Sequence, residues 1–92
     1  MSDLSNLPEQ EQDNQVFADI ENKIIIYNDD VNTFDWVIET LVEVCKHNRE
    51  QAEQCAYIIH HHGKYAVKHG SWEILKPMKD AITERGINAN IE

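Results

Sequence analysis

The chain has 92 residues, 41% of them hydrophobic, and its 17 acidic against 8 basic side chains give a net charge of −9. That length suits a single domain around one core. The negative charge excludes nucleic acid and anionic membrane as partners, because both need a Lys/Arg surplus to neutralise phosphate or lipid charge.

Residues 1–22 carry six acidic side chains, Asp3, Glu9, Glu11, Asp13, Asp19 and Glu21, and no basic one. With few apolar residues and no sustained period, they predict a disordered acidic N-terminal extension ahead of a folded domain over 23–92. The composition suits a solubilising leader and a segment captured by a partner equally. No basic-then-apolar pattern marks a signal peptide, and no apolar run approaches the roughly 20 residues needed to span a bilayer, so a cytoplasmic protein is expected.

Ile24, Ile25, Ile26 and Tyr27 form a β-branched and aromatic run that Asn28-Asp29-Asp30 ends abruptly: a buried strand followed by a turn. Asn32 is the expected N-cap of a first helix, with Asp35 in its favourable acidic first turn. Phe34, Val37, Ile38, Leu41, Val42 and Cys45 recur at helical spacing and give that helix one apolar face up to about Lys46. Asn48 with Gln51 three residues later reads as a capping box for a second helix, whose inner stripe is Ala52, Cys55, Ala56 and Ile59 and whose end is Gly63.

Tyr65–Val67 is predicted as a short strand, and Ser71 as the cap of a third helix carrying Ile74, Leu75, Met78, Ala81 and Ile82 up to Gly86. Pro77 should kink that helix or mark the start of a separate one. Ile87–Ile91 reads as a closing strand. The predicted fold is α+β, a three-stranded antiparallel sheet packed against three helices in the order strand, helix, helix, strand, helix, strand. Cys45 and Cys55 fall on apolar stripes without CxxC spacing and are expected as buried, reduced thiols.

Three features are candidates for chemistry: the Asn28-Asp29-Asp30 turn, the His60-His61-His62 run before Gly63-Lys64, and the aromatic pair Phe34 and Trp36. Each also has a structural reading, as turn residues, as solvated helix-end residues and as core. Adjacent helix positions point about 100° apart, so the three histidines cannot face one ion, and no metal site or cofactor is expected. There is no Gly-rich phosphate loop, HExxH or GxSxG motif, and neither Ser71 nor a buried cysteine has the context of a nucleophile. An enzyme is not expected.

Together these residues resemble the ClpS family: an Ile-Ile-Ile-Tyr strand, Asn28-Asp29-Asp30, a helix opening near Phe34, and a His-x-x-Gly-Lys element at His60–Lys64, over residues 23–92. The resemblance implies an adaptor that holds protein substrates by their N-terminal residue, Leu, Phe, Tyr or Trp, and delivers them to a Clp AAA+ ATPase of the ClpA or ClpC type. It implies amine binding by Asn28, Asp29 and His60, a side-chain pocket of Phe34, Val37, Ala56, Ile59 and Ile87, and ATPase docking through Glu73. Their chemistry fits, since an ammonium group needs acceptors and a large apolar side chain gains roughly 1.5 to 3 kcal/mol on burial. Ala56 stands where many relatives carry a larger residue, often Met, and Phe34 replaces a common Met. Met78 replaces a basic residue of the docking surface. The alternative from the residues alone is an interaction domain of the ribosomal-stalk C-terminal type, which has no such pocket.

Overall fold

A computed structural model describes residues 21–92 of the chain. The acidic extension expected over 1–22 lies outside these residues apart from its last two, and Asn22 already opens the first strand. In chain order the elements are β1 (Asn22–Tyr27), α1 (Phe34–Cys45), α2 (Arg49–His62), β2 (Lys64–Gly70), α3 (Trp72–Glu84) and β3 (Ala89–Ile91). The sheet order is β2-β1-β3 and both pairings are antiparallel. The α+β class, the element order and the strand count all agree with the sequence.

β1 is central because it is the most apolar segment: Ile24, Ile25 and Ile26 are all buried, with a register irregularity between Ile24 and Ile25 on the β2 side. Ile24 and Ile26 join a core formed with Ile38, Leu41, Cys45, Ala52, Ala56, Ile59, Leu75, Ile82 and Ile87. The inner stripe predicted for α2 is buried in full, and both cysteines are free. Burial pushes the Cys45 thiol up to about 11, so it behaves as a small apolar side chain.

The helix caps are mostly as read. Asn48 accepts from Gln51 N–H at 2.8 Å while the Gln51 side chain accepts from Asn48 N–H at 3.4 Å, and Ser71 accepts from Ile74 N–H at 3.3 Å. Asn48→Ala should lower stability by about 1 kcal/mol, read as a lower urea midpoint with unchanged m-value. α1 is different: its cap is Thr33, whose hydroxyl accepts from Trp36 N–H at 3.1 Å, and Asn32 is used elsewhere.

Three boundaries also move. β2 extends beyond Tyr65–Val67 in both directions because β1 offers it six partners, Asn22 to Tyr27. α3 is one helix with Pro77 inside it, so no separate first turn precedes the proline. Ile87 is not in a strand, since its N–H donates to Ile82 O (3.4 Å) and finishes the turn after α3, leaving Ala89–Ile91 as the strand paired with β1, flanked by bonds from β1 to Asn88 and Glu92.

Arg85, at the end of α3, fastens that helix to α1. Its guanidinium pairs with Glu43 at 2.7 Å, donates to Thr40 Oγ1 at 3.4 Å and lies 5.4 Å from the Trp36 ring centre. Trp36 Nε1–H donates in return to Arg85 O at 3.0 Å. The first turns of α1, which carry Phe34 and Val37, are thereby held against the rest of the domain.

Candidate functional site

The C-terminal end of β1 and the last turn of α2 meet through one backbone bond, Asn28 N–H to Gly63 O at 2.8 Å. Gly63 makes this possible by taking φ 90°, a left-handed conformation that a Cβ would strain, and so ending α2 beside the strand. His60, on that last turn, is brought next to Asn28.

The turn after β1 is organised by Asp29. Its Oδ1 accepts from Val31 N–H and Asn32 N–H, and its Oδ2 accepts from Asn32 Nδ2, each at 2.8 Å. Asn32 Nδ2 also donates to Gly86 O at 2.9 Å, tying the turn to the end of α3. The Asn32 bonds, from backbone and then side chain, hold the Asp29 carboxyl below its ordinary value, assisted by the Val31 N–H. A carboxylate has about four acceptor sites, so three donors leave room for one more.

These contacts enclose a cavity of about 290 Å3 between the β1–α1 turn, the start of α1 and the end of α2. Ala56 and Ile59, each 3% exposed, form its apolar floor, and Phe34 and Val37 supply a wall. The rim is polar: Asn28, Asp29, Asp30, Asn32, Thr33 and His60. The His60 ring stands edge-on to Phe34, with centroids 6.2 Å apart. Ligand pockets for drug-sized molecules run from about 300 to 1,000 Å3, so this one suits a single side chain with its attached polar group.

Seven of the eight residues expected at the amine site and side-chain pocket line this cavity: Asn28, Asp29, His60, Phe34, Val37, Ala56 and Ile59. Ile87 does not; it is 2% exposed and packed in the core. Asp30, from the candidate turn, also reaches the rim, and so do Asn32 and Thr33, for which the sequence offers only the density of turn-forming side chains after β1. Glu73 is exposed in the first turn of α3 between two exposed apolar side chains, Trp72 (50%) and Ile74 (57%). Among the described residues, no group of three or more His, Cys, Asp or Glu side chains is placed to hold a metal ion, and no helix is long and apolar enough to cross a membrane.

The sequence profile of the family described as "ATP-dependent Clp protease adaptor protein ClpS" matches residues 18–90. The chain belongs to the ClpS family. Among curated members of this family, the ClpS adapter proteins of Campylobacter jejuni subsp. jejuni and subsp. doylei are 49% identical to it over 41 residues, 45% of this chain and 43% of those proteins. The match thus spans under half the length of these relatives. Among solved structures, Agrobacterium tumefaciens ClpS2 bound to L-phenylalaninamide superposes with a TM-score of 0.72 at 19% identity, covering 78% of this chain and 94% of that one. At that identity the superposition establishes the ClpS fold.

Proposed function

We propose that this ClpS-family chain is a non-catalytic cytoplasmic adaptor that holds a free N-terminal residue in the cavity at the β1–α1 turn and delivers the substrate to a Clp AAA+ ATPase. The observation that carries this reading is the cavity's two-part lining. An apolar floor and wall of Ala56, Ile59, Phe34 and Val37 lies directly beneath an acceptor rim of Asn28, Asp29 and His60. An N-terminal Leu, Phe, Tyr or Trp offers the matching pair, a large apolar group beside an ammonium. An internal residue offers no ammonium. The relative solved with L-phenylalaninamide, an amino acid amide with a free amine, is consistent with this reading.

The test is binding of peptides that vary only in the first residue, each with a free and an acetylated N-terminus. Free Leu and Phe peptides should bind at micromolar affinity or better, and acetylation, which removes the charge, should abolish binding. Equal affinity for both forms would overturn the proposal and favour an interaction domain without a pocket. The same series reads Ala56: with only a methyl group at this position beside Ile59 on the cavity floor, N-terminal Ile and Val should bind within tenfold of Leu.

His60 completes the acceptor rim, because a ring nitrogen with a lone pair can accept from the ammonium. The Asp29 carboxyl, held below the ordinary aspartate value by its Asn32 and Val31 bonds, is ionised at neutral pH and supplies the charge. Isothermal titration should show His60→Ala weakening the binding of free Leu and Phe peptides, and an unchanged affinity would remove His60 from the amine site.

Docking on the ATPase is assigned to Glu73. Trp72 and Ile74, exposed on either side of it, give the acidic group an apolar surround of the kind found at the centres of protein interfaces. The folded unit would then be the expected 23–92 extended by Asn22, which opens β1, with the acidic residues ahead of it serving delivery.

A further inference from the structure

A second cavity, of about 240 Å3, lies between the first turns of α2 and strand β2, and it shares no lining residue with the first. Two metal-binding atoms face each other in it, His47 Nδ1 and Cys55 Sγ, 4.0 Å apart. With zinc's bond lengths as a guide, about 2.3 Å to sulfur and about 2.1 Å to nitrogen, one ion holds the two ligand atoms about 3.6 Å apart at the tetrahedral angle and about 4.4 Å apart in line. The observed separation falls between these limits, so one ion can bridge the pair with little side-chain movement.

Both ligands are held in place by the fold. His47 sits in the link between α1 and α2, where Lys46 takes φ 63° and His47 N–H donates to Leu41 O at 3.3 Å. Cys55 projects from α2, whose N-terminus is fixed by the Asn48 capping box.

The surroundings select the ion. His69 also lines this cavity, but its Nδ1 lies 3.5 Å from Glu21 Oε1, and among the described residues no group of three His, Cys, Asp or Glu is placed to hold one ion, which disfavours ions that demand four protein ligands. Thiolate sulfur favours soft cations such as copper(I). A single positive charge is neutralised by the thiolate, whereas a divalent ion would leave an excess charge in the field of Lys68, whose Nζ donates to Cys45 O at 3.3 Å.

We propose that His47 Nδ1 and Cys55 Sγ form a two-coordinate site for a monovalent thiophilic cation of the copper(I) class. On binding, the Cys55 S–H bond breaks, its proton leaves to solvent and a sulfur–metal bond forms, with no change in oxidation state. The site is independent of the substrate cavity.

The test is anaerobic competition for copper(I) between the full chain and a chromophoric copper(I) chelator. The wild type should withdraw one equivalent. Cys55→Ser and His47→Gln should each weaken that uptake at least tenfold, while Cys45→Ala and a His61→Asn/His62→Asn double variant retain it. Uptake that survives in either Cys55→Ser or His47→Gln overturns the pair as the site, as does uptake lost in the double variant. Should a variant fail to fold by circular dichroism, X-ray absorption on the copper-loaded wild type decides: one sulfur and one nitrogen neighbour support the site, and two sulfurs, meaning copper shared between chains, overturn it.

Discussion

Asp29→Asn should weaken binding of peptides with a free N-terminal Leu or Phe at least tenfold while the domain stays folded. Asparagine keeps an Oδ1 that can accept from Val31 and Asn32 N–H, so the backbone of the turn survives. It loses the Oδ2 acceptor of Asn32 Nδ2 and the negative charge proposed to face the ammonium, and hydrogen bonds to charged groups contribute roughly 1.5 to 3 kcal/mol. Solvent screening at the exposed rim places the expected effect at the lower end of that range. Asp29→Ala removes both functions and should weaken binding further. Calorimetric titration of the two variants, with circular dichroism as the control for folding, checks this: equal affinity of Asp29→Asn and wild type would reduce Asp29 to a structural residue.

The same carboxylate links the site to stability at low pH. Its folded-state value is depressed, so its stabilising contribution is present above the unfolded-state value and is lost as pH falls through the folded one. The turn should therefore hold through mildly acidic conditions and loosen only in strong acid.

The largest expected effect on stability is at Leu41. Its side chain is fully buried in the core, and Leu→Ala at such a site costs about 2 to 5 kcal/mol through lost burial and the cavity left behind. Small domains have about 5 to 15 kcal/mol in total, so Leu41→Ala should shift the urea midpoint markedly. Because Leu41 lies on the helix that carries Phe34 and Val37, saturating N-terminal Leu peptide should recover part of the loss by mass action. A loss of unfolding free energy below about 1 kcal/mol would contradict the assignment of Leu41 to the centre of the core.

Features set by neighbours in the chain were legible in advance. The Asn48–Gln51 capping box, the left-handed Gly63 and the Ser71 cap each involve side chains and backbone groups within four residues, so their geometry follows from local sequence. The burial of Ala52, Cys55, Ala56 and Ile59 followed from helical spacing for the same reason. Asn32 shows where that reasoning stops. It has the chemistry of a cap, yet Asp29 and the carbonyl of Gly86, 54 residues away, claim its amide, and Thr33 caps α1 instead. Ile87 reads as a strand residue, but the end of α3 takes its N–H.

The Asn28-Asp29-Asp30 turn and the His60–Lys64 element were visible as residues and identified the family, and with it the expected ligand. Neither composition nor periodicity indicated that they are adjacent. That adjacency comes from the antiparallel pairing of β1 with β2 and from the bond between Asn28 N–H and Gly63 O. The tertiary structure alone decided that Ala56 and Ile59 form a floor, that Ile87 is packed in the core, and that His47 and Cys55 face each other across a separate cavity. Sequence determines which faces are apolar and where helices start, because these depend on spacing and local hydrogen bonds. Which polar groups share a cavity depends on contacts between distant segments, and only the packed chain sets those.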